Sequence, residues 1–182
     1  MEPMRSVRRA ILSASDKEGL AAFAEQLARE GTEILSTGGT AEELRRSGIA
    51  VREIADLTGF PEMLGGRVRT LHPLVYGGIL ARRSLESDRE EMGRFGIEPI
   101  DLVCVNFYPF EATARREGAS EEEILESIDI GGPSLLRAAA KNYAHTAVLF
   151  EPAEYDGFLD RLRSPDGVTL ADRRELAAPA FR

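Results

Sequence analysis

The chain has 182 residues, 43% hydrophobic and 30% charged, a balance that describes one globular domain with a single core and excludes a fibre or a disordered chain. A net charge of -8 and a pI near 5.0 argue against nucleic acid or an anionic membrane surface as partner, since both attract basic surfaces. The opening MEPMRSVRRA lacks the apolar core of a signal peptide, no apolar run reaches the length of a membrane span, and a single cysteine excludes an internal disulfide, so a cytoplasmic enzyme is expected.

Short apolar runs alternate with amphipathic stretches, the pattern of an α/β fold with a mainly parallel sheet and helices on both faces. Ala10 to Ser13 reads as the first strand. Ser15 and Glu18 have capping-box spacing ahead of Leu20, Phe23 and Leu27, which predicts a helix starting at Ser15. Gly31 stops that helix, and Glu33 to Ser36 reads as the second strand. Thr40 and Glu43 repeat the capping spacing and predict another helix start. A short strand near Val51 to Ile54 leads into the glycine-punctuated segment Thr58 to Pro73, too long to be a mere connector. An acidic helix around Ser87 to Phe95 precedes a strand at Leu102 to Asn106. Within it Cys104 reads as a small buried hydrophobe.

Ser120 and Glu123 open a further helix by the same rule, running out near Ile128. A helix from Ser134 to Lys141 follows Asp129-Ile130-Gly131-Gly132-Pro133, with the proline suited to a first turn. Ala147 to Phe150 reads as the last core strand, with one or two peripheral helices beyond. Residues 1–6 are expected to form a tail, and 165–182 the start of a connection to a further domain.

Three junctions share one physical signature: Ser13-Ala14-Ser15-Asp16-Lys17, Thr37-Gly38-Gly39-Thr40 and Asp129-Ile130-Gly131-Gly132. Each places small or hydroxylic residues at a helix start, where free backbone donors attract anions, phosphate above all. Capping alone explains any one of them. Strands of a parallel sheet point their carboxyl ends into one crevice, so together the three favour a phosphate-ester ligand. Arg67, Val68, Arg69 and Thr70 in the long loop add two arginines suited to bidentate recognition of an oxyanion, or else a solvated basic turn. His72, before Pro73, reads as a structural hydrogen-bonding residue, and two histidines with one cysteine make a metal site of the usual ligands unexpected.

Only two of the 23 basic residues are lysine, Lys17 and Lys141. Arginine cannot release its proton, so a lysine kept in such a chain is a candidate for work that needs a tunable ammonium. Tyr108, Asp129 and Lys141 are titratable groups suited to proton transfer if the fold gathers them. Their structural alternatives are an aromatic anchor, a helix cap and a cation at a helix C-terminus.

The segments Gly59 to Val68, Thr70-Leu71-His72-Pro73, Asn106-Phe107-Tyr108-Pro109-Phe110, Ile128 to Gly132 and Ala138 to Asn142, in this order, resemble the IMP cyclohydrolase domain of the PurH family. The resemblance covers about residues 7 to 182. It implies a three-layer methylglyoxal-synthase-like fold and a cofactor-free ring closure of 5-formamidoimidazole-4-carboxamide ribotide (FAICAR) to IMP. It implies nucleotide contacts at Ser13, Ser15, Asp16, Lys17, Ser36, Thr37, Gly38, Gly39, Thr40, Arg67, Val68, Arg69, Thr70, Asn106, Phe107, Asp129, Ile130 and Gly131. Catalytic roles fall by the same resemblance to Arg69, Tyr108, Asp129 and Lys141, and a homodimer is expected. Where the family commonly carries lysine this chain has Arg69, which can act only as a fixed cation. The family's full protein continues into a transformylase domain, so a one-domain fragment or a standalone cyclohydrolase is expected. Two rivals share the fold: a methylglyoxal synthase, weaker in the Tyr108 and Lys141 segments, and a non-enzymatic regulatory module, which would lack the proton-transfer residues.

Overall fold

In β1 (Arg9–Ala14) the residues Ala10, Leu12 and Ala14 turn to one face and Ile11 to the other, and all four are buried. A strand covered on both sides needs apolar residues at both parities, which is why its run is continuous rather than alternating. A computed structural model describes residues 2–107 and 110–181. After β1 come α1 (Leu20–Arg29), β2 (Glu33–Ser36), α2 (Gly38–Arg46), β3 (Arg52–Glu53), α3 (Ile54–Thr58), α4 (Pro73–Leu80) and α5 (Glu86–Phe95). The chain continues through β4 (Leu102–Asn106), α6 (Phe110–Ala114), α7 (Glu121–Glu126), α8 (Gly131–Lys141), β5 (Ala147–Leu149), α9 (Tyr155–Arg163) and α10 (Leu170–Ala177).

The five strands pair in parallel in the order β3-β2-β1-β4-β5, with Ile11 opposite Leu35 on one side and Val103 on the other. The order reverses between β1 and β4, and in open parallel sheets the crevice beyond that point is where ligands bind. One core packs α1, α2 and α9 against Leu12, Leu102, Cys104 and Leu149; the other packs α3, α4 and α8 against Ile11, Leu35, Val103 and Val148. These are the three layers expected. Phe23 of α1 stacks on Tyr155 of α9 at 4.5 Å, and burial pushes the Cys104 thiol beneath them up to about 12, so it is inert as a nucleophile. Among the described residues no helix is long and apolar enough to cross a membrane.

Several boundaries differ from the sequence reading, each for a local reason. α1 starts at Leu20 behind a left-handed Gly19, not at Ser15, because Asp16 Oδ1 accepts the Glu18 amide and Asn106 Oδ1 accepts those of Ser15 and Asp16. α2 begins at Gly38, so Thr40 is no cap; it is buried, and its hydroxyl donates to the Ala14 carbonyl at 3.0 Å. α8 begins three residues earlier than expected, at Gly131. α4 arises where only a loop end was foreseen: His72 Nδ1 accepts the Leu74 amide and Pro73 occupies the first turn. The Ser120–Glu123 capping box forms as predicted.

The two chain ends are tied to each other and to the core. Met4 and Val168 exchange backbone hydrogen bonds at 2.9 and 2.8 Å, so residue 4 is not part of a free tail. α10 packs on β5 and α8, and Arg173 is buried with its guanidinium donating to the carbonyls of Tyr143, Val168, Ala144 and Glu2. Val168 and α10 thus pack as part of this domain, because a buried guanidinium must satisfy its donors on nearby carbonyls.

Candidate active site

A cleft of about 730 Å³ opens at the carboxyl ends of β1, β2 and β4. Its floor and first wall come from Ser13, Ser15, Lys17 and Asn106. Asn106 closes the switch point: its Oδ1 accepts the amides of Ser15 at 2.7 Å and Asp16 at 2.9 Å, while its Nδ2 donates to the Asp16 carbonyl at 2.9 Å. The bend after β1 is therefore held by a side chain rather than by helical bonds, which leaves Lys17 at the rim.

The second wall is the start of α2. Thr37 is extended and makes no side-chain cap, so the first amides of this nine-residue helix open toward the cleft beside Gly39 and Thr40. Opposite stands the start of α8, where Asp129 Oδ1 accepts the Gly132 amide at 3.0 Å and no described residue accepts that of Gly131. Two helix N-termini thus aim partial positive charge into one space. A Cβ on Gly132 would lie 2.4 Å from Asp129 Oδ2 and 2.8 Å from the Phe107 ring, so only glycine lets the carboxylate sit this close to the helix.

The long loop supplies the third wall and its cations. Arg69 Nε donates to Glu62 at 2.8 Å, and the guanidinium threads between Gly38 and Gly66. A Cβ at either glycine would meet an Arg69 nitrogen, at 2.6 Å and 2.2 Å, and both glycines have positive φ. Arg69 also borders a neighbouring cavity of about 480 Å³, so it stands between the two spaces. Arg67 reaches across the mouth to Glu126 at the end of α7. That exposed pair raises the arginine's pKa and lowers the carboxyl's. Lys17, Arg67 and Arg69 against Glu126 and Asp129 make the lining net cationic in a chain of net charge -8.

The structure thus gathers Ser13, Ser15, Lys17, Thr37, Gly39, Thr40, Arg67, Arg69, Thr70, Asn106, Asp129, Ile130 and Gly131 around one cleft. It does not bring the rest there. Ser36 is fully buried with its hydroxyl donating to the Leu12 carbonyl, and Asp16 turns its carboxylate to the Glu18 amide. Val68 serves by its backbone in a bridge to Met63, Phe107 packs on Phe150 at 5.1 Å, and Gly38 borders the neighbouring cavity. Lys141 ends α8, exposed, ten residues past Gly131 and so about 15 Å along the helix axis. From its own chain it cannot meet Asp129. Tyr108 lies outside the described residues.

A family model described as an MGS-like domain matches residues 19–134, more than half the chain. The chain belongs to that family. Residues 139–182 match a second model, AICARFT/IMPCHase bienzyme. The chain is 55% identical to the bifunctional purine biosynthesis protein PurH of Magnetococcus marinus over 90% of its own length and 31% of the relative's. With the protein of the same name from Rhodopirellula baltica it is 52% identical over 100% of this chain and 35% of that one. It spans about a third of these curated relatives and corresponds to their cyclohydrolase part. A solved structure titled "Crystal structure of ForH" superposes with a TM-score of 0.82 at 42% identity, covering 97% of this chain and 92% of that one.

This MGS-like domain also uses residues that sequence patterns did not flag. Glu62 and Glu126 partner the two arginines. Tyr76 of α4 places its phenol oxygen 2.6 Å from Ser134 Oγ of α8, beside Thr70 and near Asp129. No motif announces Tyr76, because only the packing of α4 on α8 brings it to the site.

Proposed function

We propose that the chain is an IMP cyclohydrolase, closing the second ring of FAICAR to give IMP and water in the last step of de novo purine synthesis. The carrying observation is the cleft itself: two helix N-termini and the cations Lys17, Arg67 and Arg69 surround one space, with the Asp129 carboxylate held against the Gly132 amide at the start of α8. The match of residues 139–182 to the AICARFT/IMPCHase model supports the same reading.

The ribotide phosphate binds among the α2 amides and Lys17, where helix dipole and ammonium add. This grip holds the formyl and carboxamide groups in contact, supplying the orientation an intramolecular attack needs. The carboxamide nitrogen attacks the formyl carbon, Asp129 takes the nitrogen proton, and the carbonyl oxygen becomes an oxyanion. Arg69, a fixed cation, and the Gly131 amide steady that oxygen. The adduct then loses that oxygen as water, which takes the proton received by Asp129 and the proton left on the formamide nitrogen, and the C–N double bond that forms completes the aromatic ring. Tyr108 is the proposed partner at this step. The reading also carries a cytoplasmic homodimer.

The deciding test adds FAICAR to the purified chain and follows IMP absorbance. Turnover that Asp129→Asn abolishes supports the reading; binding without turnover, or methylglyoxal formed from dihydroxyacetone phosphate, overturns it.

A further inference from the structure

Tyr76 of α4 and Ser134 of α8 stand behind the cleft wall and join the two helices. Ser134 Oγ lies 2.8 Å from the Ile130 carbonyl and 3.0 Å from that of Gly131, and its single hydrogen serves those two acceptors. The Tyr76 hydroxyl, 2.6 Å away and also beside Thr70, is placed to donate to Ser134 Oγ. Its half-buried setting favours the neutral phenol, since burial raises its pKa. With Tyr76 donating, the hydrogen bonds run from Tyr76 through Ser134 to the carbonyls of Ile130 and Gly131 at the start of α8.

That turn carries the groups on which the proposed chemistry depends. Gly131 lines the cleft with an amide that no described residue accepts, Gly132 donates to Asp129, and the Thr70 hydroxyl lies 3.1 Å from where a Cβ on Gly131 would be. Ile130 makes no side-chain cap; its carbonyl accepts the Ser134 amide at 3.2 Å, and the Ser134 hydroxyl adds a second donor to the same oxygen. α4, anchored in the core by Val75 and Ile79, is the rigid body against which they are held.

We infer that Tyr76 is a positioning residue, which through Ser134 sets the orientation of the Ile130–Gly131 turn and thereby of the Asp129 carboxylate and Gly131 amide. The inference rests on the cyclohydrolase reading for its kinetic consequence but not for its structural one, and the test separates them. Tyr76→Phe keeps the ring and removes only the hydroxyl; Ser134→Ala removes the next link.

Each variant is expected to lower kcat about tenfold with KM within about twofold of the unchanged chain, since small misalignments at a reacting centre weaken the transition state more than the ground state. The double variant should fall no further than either single one, because both act through one chain of bonds. By NMR, exchange of the Gly132 amide hydrogen should quicken about tenfold in both variants while Ala139, later in α8, keeps its rate. Unchanged kcat, multiplying losses in the double variant, or unchanged Gly132 exchange would each overturn the inference. If the unaltered chain does not turn over FAICAR, the functional reading fails, and Gly132 exchange alone decides the role of Tyr76.

Discussion

Asn106 and Ser15 meet at 2.7 Å, side-chain oxygen to backbone amide, across 91 residues of sequence at the point where the sheet reverses its strand order. One amide side chain thus does what a helix cap was expected to do: it fixes the bend after β1. Asn106→Ala removes two accepted bonds and one donated bond, so a stability loss of about 1–2 kcal/mol is expected in urea denaturation. Loss of the fixed bend should also raise KM for the ribotide about tenfold, because Lys17 and the Ser15 region lose their set position. Asn106→Asp keeps the acceptors but replaces the donor with an oxygen facing the Asp16 carbonyl, and should fall between the two. Equal KM for all three proteins would show that the bend is not part of the binding wall.

Gly66 and Arg69 give a second test with an internal control. Gly66 has φ +93° and a Cβ there would lie 2.2 Å from Arg69 Nη2; Gly48 has φ +79° with open space around it. Both alanine variants incur the left-handed backbone cost of about 1–2 kcal/mol. Only Gly66→Ala must also displace the guanidinium. Ribotide affinity is therefore expected to drop in Gly66→Ala and hold in Gly48→Ala, measured by calorimetry at one temperature. Equal affinities would mean that Arg69 does not hold ligand from the place it occupies here.

Most of the sheet was legible in the sequence, because strands buried on both faces are continuous apolar runs and β2 and β4 have the bounds those runs predict. Helix starts were less legible. Ser15–Glu18 and Thr40–Glu43 have the spacing of capping boxes, yet their partners come from Asn106 and Ala14, distant in sequence. Ser120–Glu123 on an exposed helix met no such competition and formed the box. The binding loops were visible through glycines and hydroxyls, whereas Tyr76 and Glu126 were not, since their role depends on where two helices pack. Lys141 stands differently: its rarity and its motif suggested chemistry, and the axis of α8 places it about 15 Å from Gly131 within its own chain.

His145 makes stability depend on pH. It is partly buried, and desolvation first, then the Arg83 and Arg173 guanidinium groups, lower its pKa below 6.5, while Asp88 opposes this. The unfolded chain then binds a proton that the folded chain resists, so the stabilising contribution is present above pH 6.5 and is lost as pH falls from 6.5 through the folded value. His145→Gln should remove this slope between pH 7 and 5 in denaturation midpoints, leaving only the carboxylate slope at lower pH. An identical slope in both proteins would assign it to other groups.

Arg173 carries the last prediction. The residue is 2% exposed, no carboxylate among the described residues forms a salt bridge with its guanidinium, and it donates to the carbonyls of Tyr143, Val168, Ala144 and Glu2, tying α10 to the residues after α8 and to the N-terminal segment. Burial lowers its pKa, a sign that the charge is held at a cost which the carbonyl dipoles offset. Arg173→Ala leaves those carbonyls unsatisfied in a dry site and opens a cavity, so a loss of about 3 kcal/mol is expected. Arg173→Lys keeps the charge but cannot reach four carbonyls from one ammonium, and should recover less than half of that. Because the Met4–Val168 bridge hangs on the same carbonyl of Val168 that Arg173 holds, the Met4 and Val168 amides should lose hydrogen-exchange protection before β1 does. Uniform loss across the domain would show instead that the ends and the sheet unfold as one unit.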